Sequence, residues 1–191
     1  MSEENAFFLL DGERLVPTAL TRGPWSPIHQ HGGPPAAVMA RAIEQAAGEP
    51  DSLHMTRFTI DFMRPVPIEP LTVSVDRVRD GRRARGYAAV LSAGGQAVAR
   101  ATALVVRTEP VTPPPTPVQE PLLPLPDASI PFHWPFFRDL IGYPTGVETR
   151  MASGKFGSGR AAAWMRLLVP LVLGETPSPV QRVLAVADSG S

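Results

Sequence analysis

The sequence predicts an α+β fold in which an antiparallel sheet wraps around one central helix, followed by the opening of a second copy of that arrangement. Three observations predict it. Residues 36–47 are so nearly apolar that only Arg41, Glu44 and Gln45 interrupt them, which places a helix inside other structure. Period-two alternation then recurs in segment after segment as far as Arg107. Beyond a proline-dense stretch, an extended entry, a loop with prolines and an apolar helix return in the same order.

Taken from the start, Phe7 to Leu10 with Asp11-Gly12 reads as a strand and turn, and Arg14 to Thr21 as a second extended piece. Trp25-Ser26-Pro27-Ile28-His29-Gln30-His31-Gly32-Gly33-Pro34-Pro35 is a polar loop that feeds the helix. Proline suits a first helical turn, where amide hydrogens have no partner, and the glycine pair permits a close backbone approach to a ligand or a strand. Gly48 is the expected stop. Next come four strands, read as a successive meander: His54 to Arg64, with Phe58, Ile60 and Phe62 on one face, then segments centred on Val73, on Ala89 and on Ala101. Asp80-Gly81 and Gly94-Gly95 supply the tight turns. Residues 1–107 are therefore one unit.

Ten prolines between Pro110 and Pro135 forbid a regular helix or a central strand, so residues 108–135 read as an extended linker. In residues 136–191, Phe136 to Leu140 reads as a short helical piece, and Val147 to Ser153 and Ala161 to Leu173 as strands. Ser178-Pro179 opens a helix whose apolar face is predicted at Val180, Val183, Leu184 and Ala187. No strands follow this helix, so the second unit reads as incomplete.

Composition excludes several classes. Formal net charge is zero, which gives no bulk attraction for nucleic acid or a membrane surface. The absence of cysteine excludes disulfides, thiolate metal ligands and a cysteine nucleophile. No apolar run approaches the roughly 20 residues of a membrane span, and the acidic start lacks the basic region of a signal peptide, so a cytoplasmic protein is expected. His54 and His133 are isolated, and His29 and His31 supply too few ligands for zinc, so neither metal nor cofactor is expected. There is no Gly-x-Ser-x-Gly elbow.

Gln30-His31-Gly32-Gly33-Pro34-Pro35-Ala36-Ala37, the alanine-rich helix and a meander ending Ala97-Val98-Ala99-Arg100-Ala101 together resemble the amino-terminal half of the acyl-CoA thioesterase II-like proteins. Ala163-Trp164-Met165-Arg166-Leu167, Pro177-Ser178-Pro179-Val180-Gln181-Arg182 and Ala187-Asp188-Ser189-Gly190 resemble the start of their second half. The resemblance implies a double hotdog fold with an incomplete second repeat, a substrate that is an acyl-CoA or acyl-carrier thioester, and homo-oligomers formed through the hotdog sheets. It also implies that an aspartate on the second helix activates water together with a hydroxyl residue and a glutamine on later strands. Asp188 fits the aspartate, and the other two have no counterpart.

Hydrolysis needs a base for water and donors for the oxyanion. Asp188 is the expected base, the N–H groups of Gly33 and Gly32 the expected donors at a helix start, and His31 a substrate contact. Arg82 and Arg83, in the arginine cluster of the Asp80-Gly81 hairpin, could hold the phosphates of coenzyme A or simply form a solvated tip. Two other activities stay open: an acyl-thioester binding or scaffold protein without turnover, and a hotdog dehydratase, for which His31 has no obvious acid partner in the sequence.

Overall fold

The computed structural model describes residues 5–48, 53–110, 112, 114, 123–137 and 141–190. Strands β1 (Phe8–Asp11) and β2 (Arg14–Pro17) form the entry hairpin. The second expected extended piece stops at Pro17, because Thr18 caps a 3-10 turn at Ala19–Thr21 by accepting a hydrogen bond from the Leu20 N–H. Helix α1 (Gly33–Ala47) follows, and Gly48 ends it at φ +61°, a left-handed conformation that favours glycine. Strands β3 (Leu53–Phe62), β4 (Leu71–Asp80), β5 (Ala84–Ala93) and β6 (Gln96–Arg107) complete the first unit.

The strand order β1-β2-β4-β5-β6-β3 departs from the expected meander at one point. Strands β4, β5 and β6 do meander through tight turns, but β3 lies at the far edge beside β6, antiparallel to it. The cause is connection length. Residues 63–70, with prolines at 65, 67 and 70, are a crossing segment rather than a hairpin, so β4 starts next to β2 on the other side. The sheet thereby curves around α1, whose Ala37, Val38, Met39, Ala40 and Ile43 are buried against Leu71, Tyr87, Ala89, Leu91, Ala99 and Ala101. Small side chains on both partners let backbone and sheet approach closely.

In the second half, β7 (Ile130–Pro131), the single turn α2 (Tyr143–Gly146), β8 (Val147–Gly154), β9 (Ala161–Leu167) and α3 (Pro179–Ala187) appear in order, with β7, β8 and β9 forming a separate antiparallel sheet. Ile130 and Pro131 lie inside the proline-rich 108–135 stretch yet pair with Met151 and Arg150, an edge position that proline tolerates. The expected helical piece at 136–140 lies partly outside the described residues; its first two members, Phe136 and Phe137, are not helical. The strand expected over Ala161 to Leu173 ends at Leu167. Pro170 cannot donate to a ladder, and the chain beyond β9 turns to run beside β1, where the Phe7 and Phe8 N–H groups donate to the Pro170 and Leu171 carbonyls.

Helix α3 starts where expected, with Ser178 Oγ accepting from the Gln181 N–H. Its buried face matches the expected apolar one only in part: Val180 and Leu184 pack against the core. Val183 is 63% exposed, whereas Gln181 and Ala185 are buried. The reason is the partner surface: α3 runs antiparallel to α1 and lies on the polar strip of that helix. Arg41 donates twice to the Glu175 carboxylate just before α3, and Glu44 accepts from Ser178 Oγ and Gln181 Nε2. At the other end a Cβ on Gly33 would coincide with the Ala185 carbonyl oxygen, and one on Gly32 would stand 2.8 Å from Asp188 Oδ2. Both glycines have negative or unremarkable φ, so close approach to a helix, not backbone conformation, requires them.

A methyl group at Gly33 must therefore push the two helices apart. Gly33→Ala is expected to destabilise the fold by about 1–3 kcal/mol, the usual cost of overpacking, visible as a lower thermal midpoint. An unchanged midpoint would show that the helices can separate there at no cost.

Candidate functional site

The loop before α1 is fixed by its backbone. The Gly23 N–H donates to His29 O, the His31 N–H to Thr21 O and the Gln30 N–H to Val66 O, at 2.8–2.9 Å. Gln30 Nε2 adds a 2.7 Å bond to Pro67 O on the crossing segment. His31, Gly32 and Gly33 are thus held between the 3-10 turn and the crossing segment on one side and α3 on the other.

A helix start leaves four N–H groups without intrahelical partners. In α1 two of the four positions are Pro34 and Pro35, which carry none, while the Ala36 N–H already reaches Gly32 O. The other two donors are both engaged within the protein: the Gly32 N–H donates to Asp188 Oδ2 and the Gly33 N–H to His31 Nδ1, each at 3.2 Å. Because Nδ1 accepts, the proton of the neutral imidazole resides on Nε2. That atom lies 3.4 Å from Asp188 Oδ2. The Asp188 side chain is 43% exposed and that of His31 only 11%.

Asp188 is the C-cap of α3, a poor place for an anion on its own helix, but it sits at the positive end of α1. Burial pushes the His31 imidazole down to about 4, against the opposing pull of the Asp188 carboxylate, so the ring is neutral at physiological pH. His31 stacks on Tyr143 with ring centroids 3.8 Å apart and an interplanar angle of 7°. Burial pushes the Tyr143 phenol up to about 12, so it stays protonated. It donates to Ala185 O at 3.0 Å, which leaves the Ser189 hydroxyl to donate to the phenol oxygen at 3.1 Å.

These groups form the floor of a cavity of about 450 Å³. Its walls are Trp25, Trp134, Phe136, Phe137, Tyr143 and Phe156. Trp25 is stacked on Phe136 at 6.0 Å and 8°.

Asp188, His31, Gly32 and Gly33, four of the residues singled out in the sequence, meet at this one place, and the acid partner that His31 lacks in sequence is Asp188, 157 positions away. The two glycine N–H groups are occupied by protein acceptors instead of facing the cavity. Arg82 and Arg83 are elsewhere. Neighbouring Arg85 donates to Ala47 O at the last residue of α1, about 20 Å along a 15-residue helix from its start. Trp25 and Ser189 stand in stretches singled out in the sequence, whereas Tyr143 and the other aromatic walls carry no mark there except that Phe132, Trp134, Phe136 and Phe137 crowd into six positions. Among the described residues there is no cluster of three or more potential metal ligands, and no helix is long and apolar enough to cross a membrane.

Residues 21–106 match the family described as acyl-CoA thioesterase N-terminal domain. None of the curated proteins compared with the chain matches it. Among solved structures, a conserved hot dog fold protein of unknown function from Alicyclobacillus acidocaldarius is 19% identical, with a TM-score of 0.63 over 94% of this chain and 65% of that one. A candidate thioesterase II from Thermobifida fusca is 14% identical, with a TM-score of 0.64 over 97% of this chain and 68% of the other. The tesB protein of Mycobacterium avium subspecies paratuberculosis is 20% identical, with a TM-score of 0.60 over 92% and 62%. The chain is therefore similar to hotdog proteins and spans about two thirds of their length.

The neutral state of His31 has a consequence for stability. The unfolded ring takes up its proton near pH 6.5 and the folded one only near 4, so between these values the unfolded chain binds more protons and stability rises with pH. The denaturation midpoint is expected to fall as pH drops from 6.5 toward 4, and His31→Gln to flatten that slope. Identical slopes for the two proteins would show that His31 is not held neutral.

Proposed function

We propose that this thioesterase II-like hotdog protein hydrolyses an acyl-CoA or acyl-carrier thioester in the cavity above His31 and Asp188. The observation that carries the reading is the Asp188 carboxylate seated on the Gly32 N–H at the start of α1, beside a neutral imidazole and at the floor of a cavity. In the proposed reaction Asp188 takes a proton from water as its oxygen adds to the thioester carbonyl. The C–S bond then breaks, the thiolate receives that proton, and acid and free thiol leave.

In this reading the roles expected of the loop are redistributed. Gly33 acts through His31: its N–H fixes the imidazole tautomer, and the Nε2–H becomes the donor nearest the developing oxyanion. Gly32 holds the base at the helix start, where the dipole favours the anion. The engagement of both glycine N–H groups favours a second reading, binding of acyl thioesters without turnover. Localisation in the cytoplasm and assembly into homo-oligomers through the sheets belong to the same proposal.

Thiol release from acyl-CoA substrates of several acyl types is the direct measurement. Asp188→Asn is expected to lower kcat by about 10²-fold or more, the usual weight of a general base, with KM less affected. An unaltered rate in the variant removes Asp188 as base. Binding of a non-hydrolysable thioether analogue with no thiol release by the native chain selects the binding reading.

A further inference from the structure

The walls of the cavity are predominantly aromatic. Of the chain's eight Phe, three Trp and two Tyr, the cavity takes three Phe, two Trp and one Tyr. Among the described residues the remaining lining is His31, Asp188, Ser189, Gln30, Gly32 and Pro24, with no Leu, Ile, Val, Met or Ala among them. The same chain lines other hollows differently. A hollow of about 290 Å³ at the carboxyl end of α1 mixes Leu53, Met55, Val105 and Val180 with Glu44, His54 and Ser178, and one of about 680 Å³ that shares Trp134 and Phe156 with the site adds Met151, Met165 and Val186.

The rings also present flat surfaces. Trp25 is 87% exposed yet ordered against Phe136, with their planes within 8°, and Phe137 lies within 29° of the Tyr143 plane. Large apolar side chains so placed mark a binding surface when they occur together around a concavity. Aromatic planes gain from stacking with another ring beyond the area buried, whereas a flexible alkyl chain gains area alone and loses rotamer freedom.

Resting on the thioester reading of this site, we infer that the substrate's acyl group carries a planar aromatic ring, packed against the ring surfaces that Trp25, Phe136 and Phe137 turn to the cavity while its thioester carbonyl reaches His31 and Asp188. Two measurements separate this inference from the hydrolytic reading. Thiol release is compared for phenylacetyl-CoA and octanoyl-CoA, and binding is compared for the corresponding non-hydrolysable thioether analogues by titration calorimetry. The aryl compound is expected to exceed the alkyl one about tenfold in both kcat/KM and affinity, the scale of one to two ring contacts. Phe136→Leu and the exposed Trp25→Leu are each expected to shrink that ratio by about threefold or more, while both substrates weaken. Equal or alkyl-favoured selectivity overturns the inference, as does a ratio unchanged in both variants. Aryl-selective binding without turnover retains it and overturns hydrolysis; no binding of either analogue overturns both.

Discussion

The close approach of two antiparallel helices governs this structure. Gly32 and Gly33 open α1, and their missing side chains admit the carbonyl of Ala185 and the carboxylate of Asp188 from the end of α3. At the opposite end the relation is reversed, with Glu44 of α1 accepting from Ser178, which caps α3. Each helix thus places an acid at the amino-terminal end of the other, where backbone donors and the helix dipole favour negative charge. Asp188 takes an orphan backbone donor at the start of α1, while Glu44 takes the Ser178 hydroxyl and the Gln181 side-chain amide at the start of α3, and the two contacts fix the helices lengthwise as well as laterally. Asp188 is delivered to His31 by that lengthwise registration.

The electrostatics of the site follow from the same packing. A histidine beside a carboxylate ordinarily gains a proton, yet burial outweighs Asp188 in lowering His31 to about 4. Tyr143 covers one ring face, and the Gly33 N–H occupies Nδ1. The pair is therefore a neutral donor next to an anion rather than an ion pair. That distinction matters for chemistry: a neutral Nε2–H can stabilise a developing negative oxygen without surrendering a proton to Asp188 first.

Much of the fold was legible because local patterns reported it. The limits of α1, the strands β4 to β6 with their glycine turns, and the Ser178-Pro179 start each depend on neighbours in sequence. The place of β3 was not legible, since nothing in its alternation says which edge it joins; the length of the proline-bearing crossing decides that. The buried face of α3 escaped for a different reason. Apolar periodicity points to Val183, but α3 meets the polar strip of α1, so Gln181 is inside and Val183 outside. In the site, Asp188 and the His31-Gly32-Gly33 stretch were marked by resemblance and by glycine chemistry, while their contact was not, because it spans the whole chain. The Arg82 and Arg83 cluster looked equally suggestive in sequence, and only the length of α1 separates it from the cavity.

The cavity is walled by residues of both halves. Trp25 and His31 come from the loop before α1, Phe136, Phe137 and Tyr143 from the segment leading into β8, and Asp188 and Ser189 from the end of α3. The His31 to Tyr143 stack and the Trp25 to Phe136 stack both cross between these sources. A change at the far end of the helix pair, such as loss of the Arg41 to Glu175 pairing, acts on the site through the position of α3 rather than through any contact with a ligand. A molecule held by rings from both halves would in turn stabilise their docking by its own binding free energy.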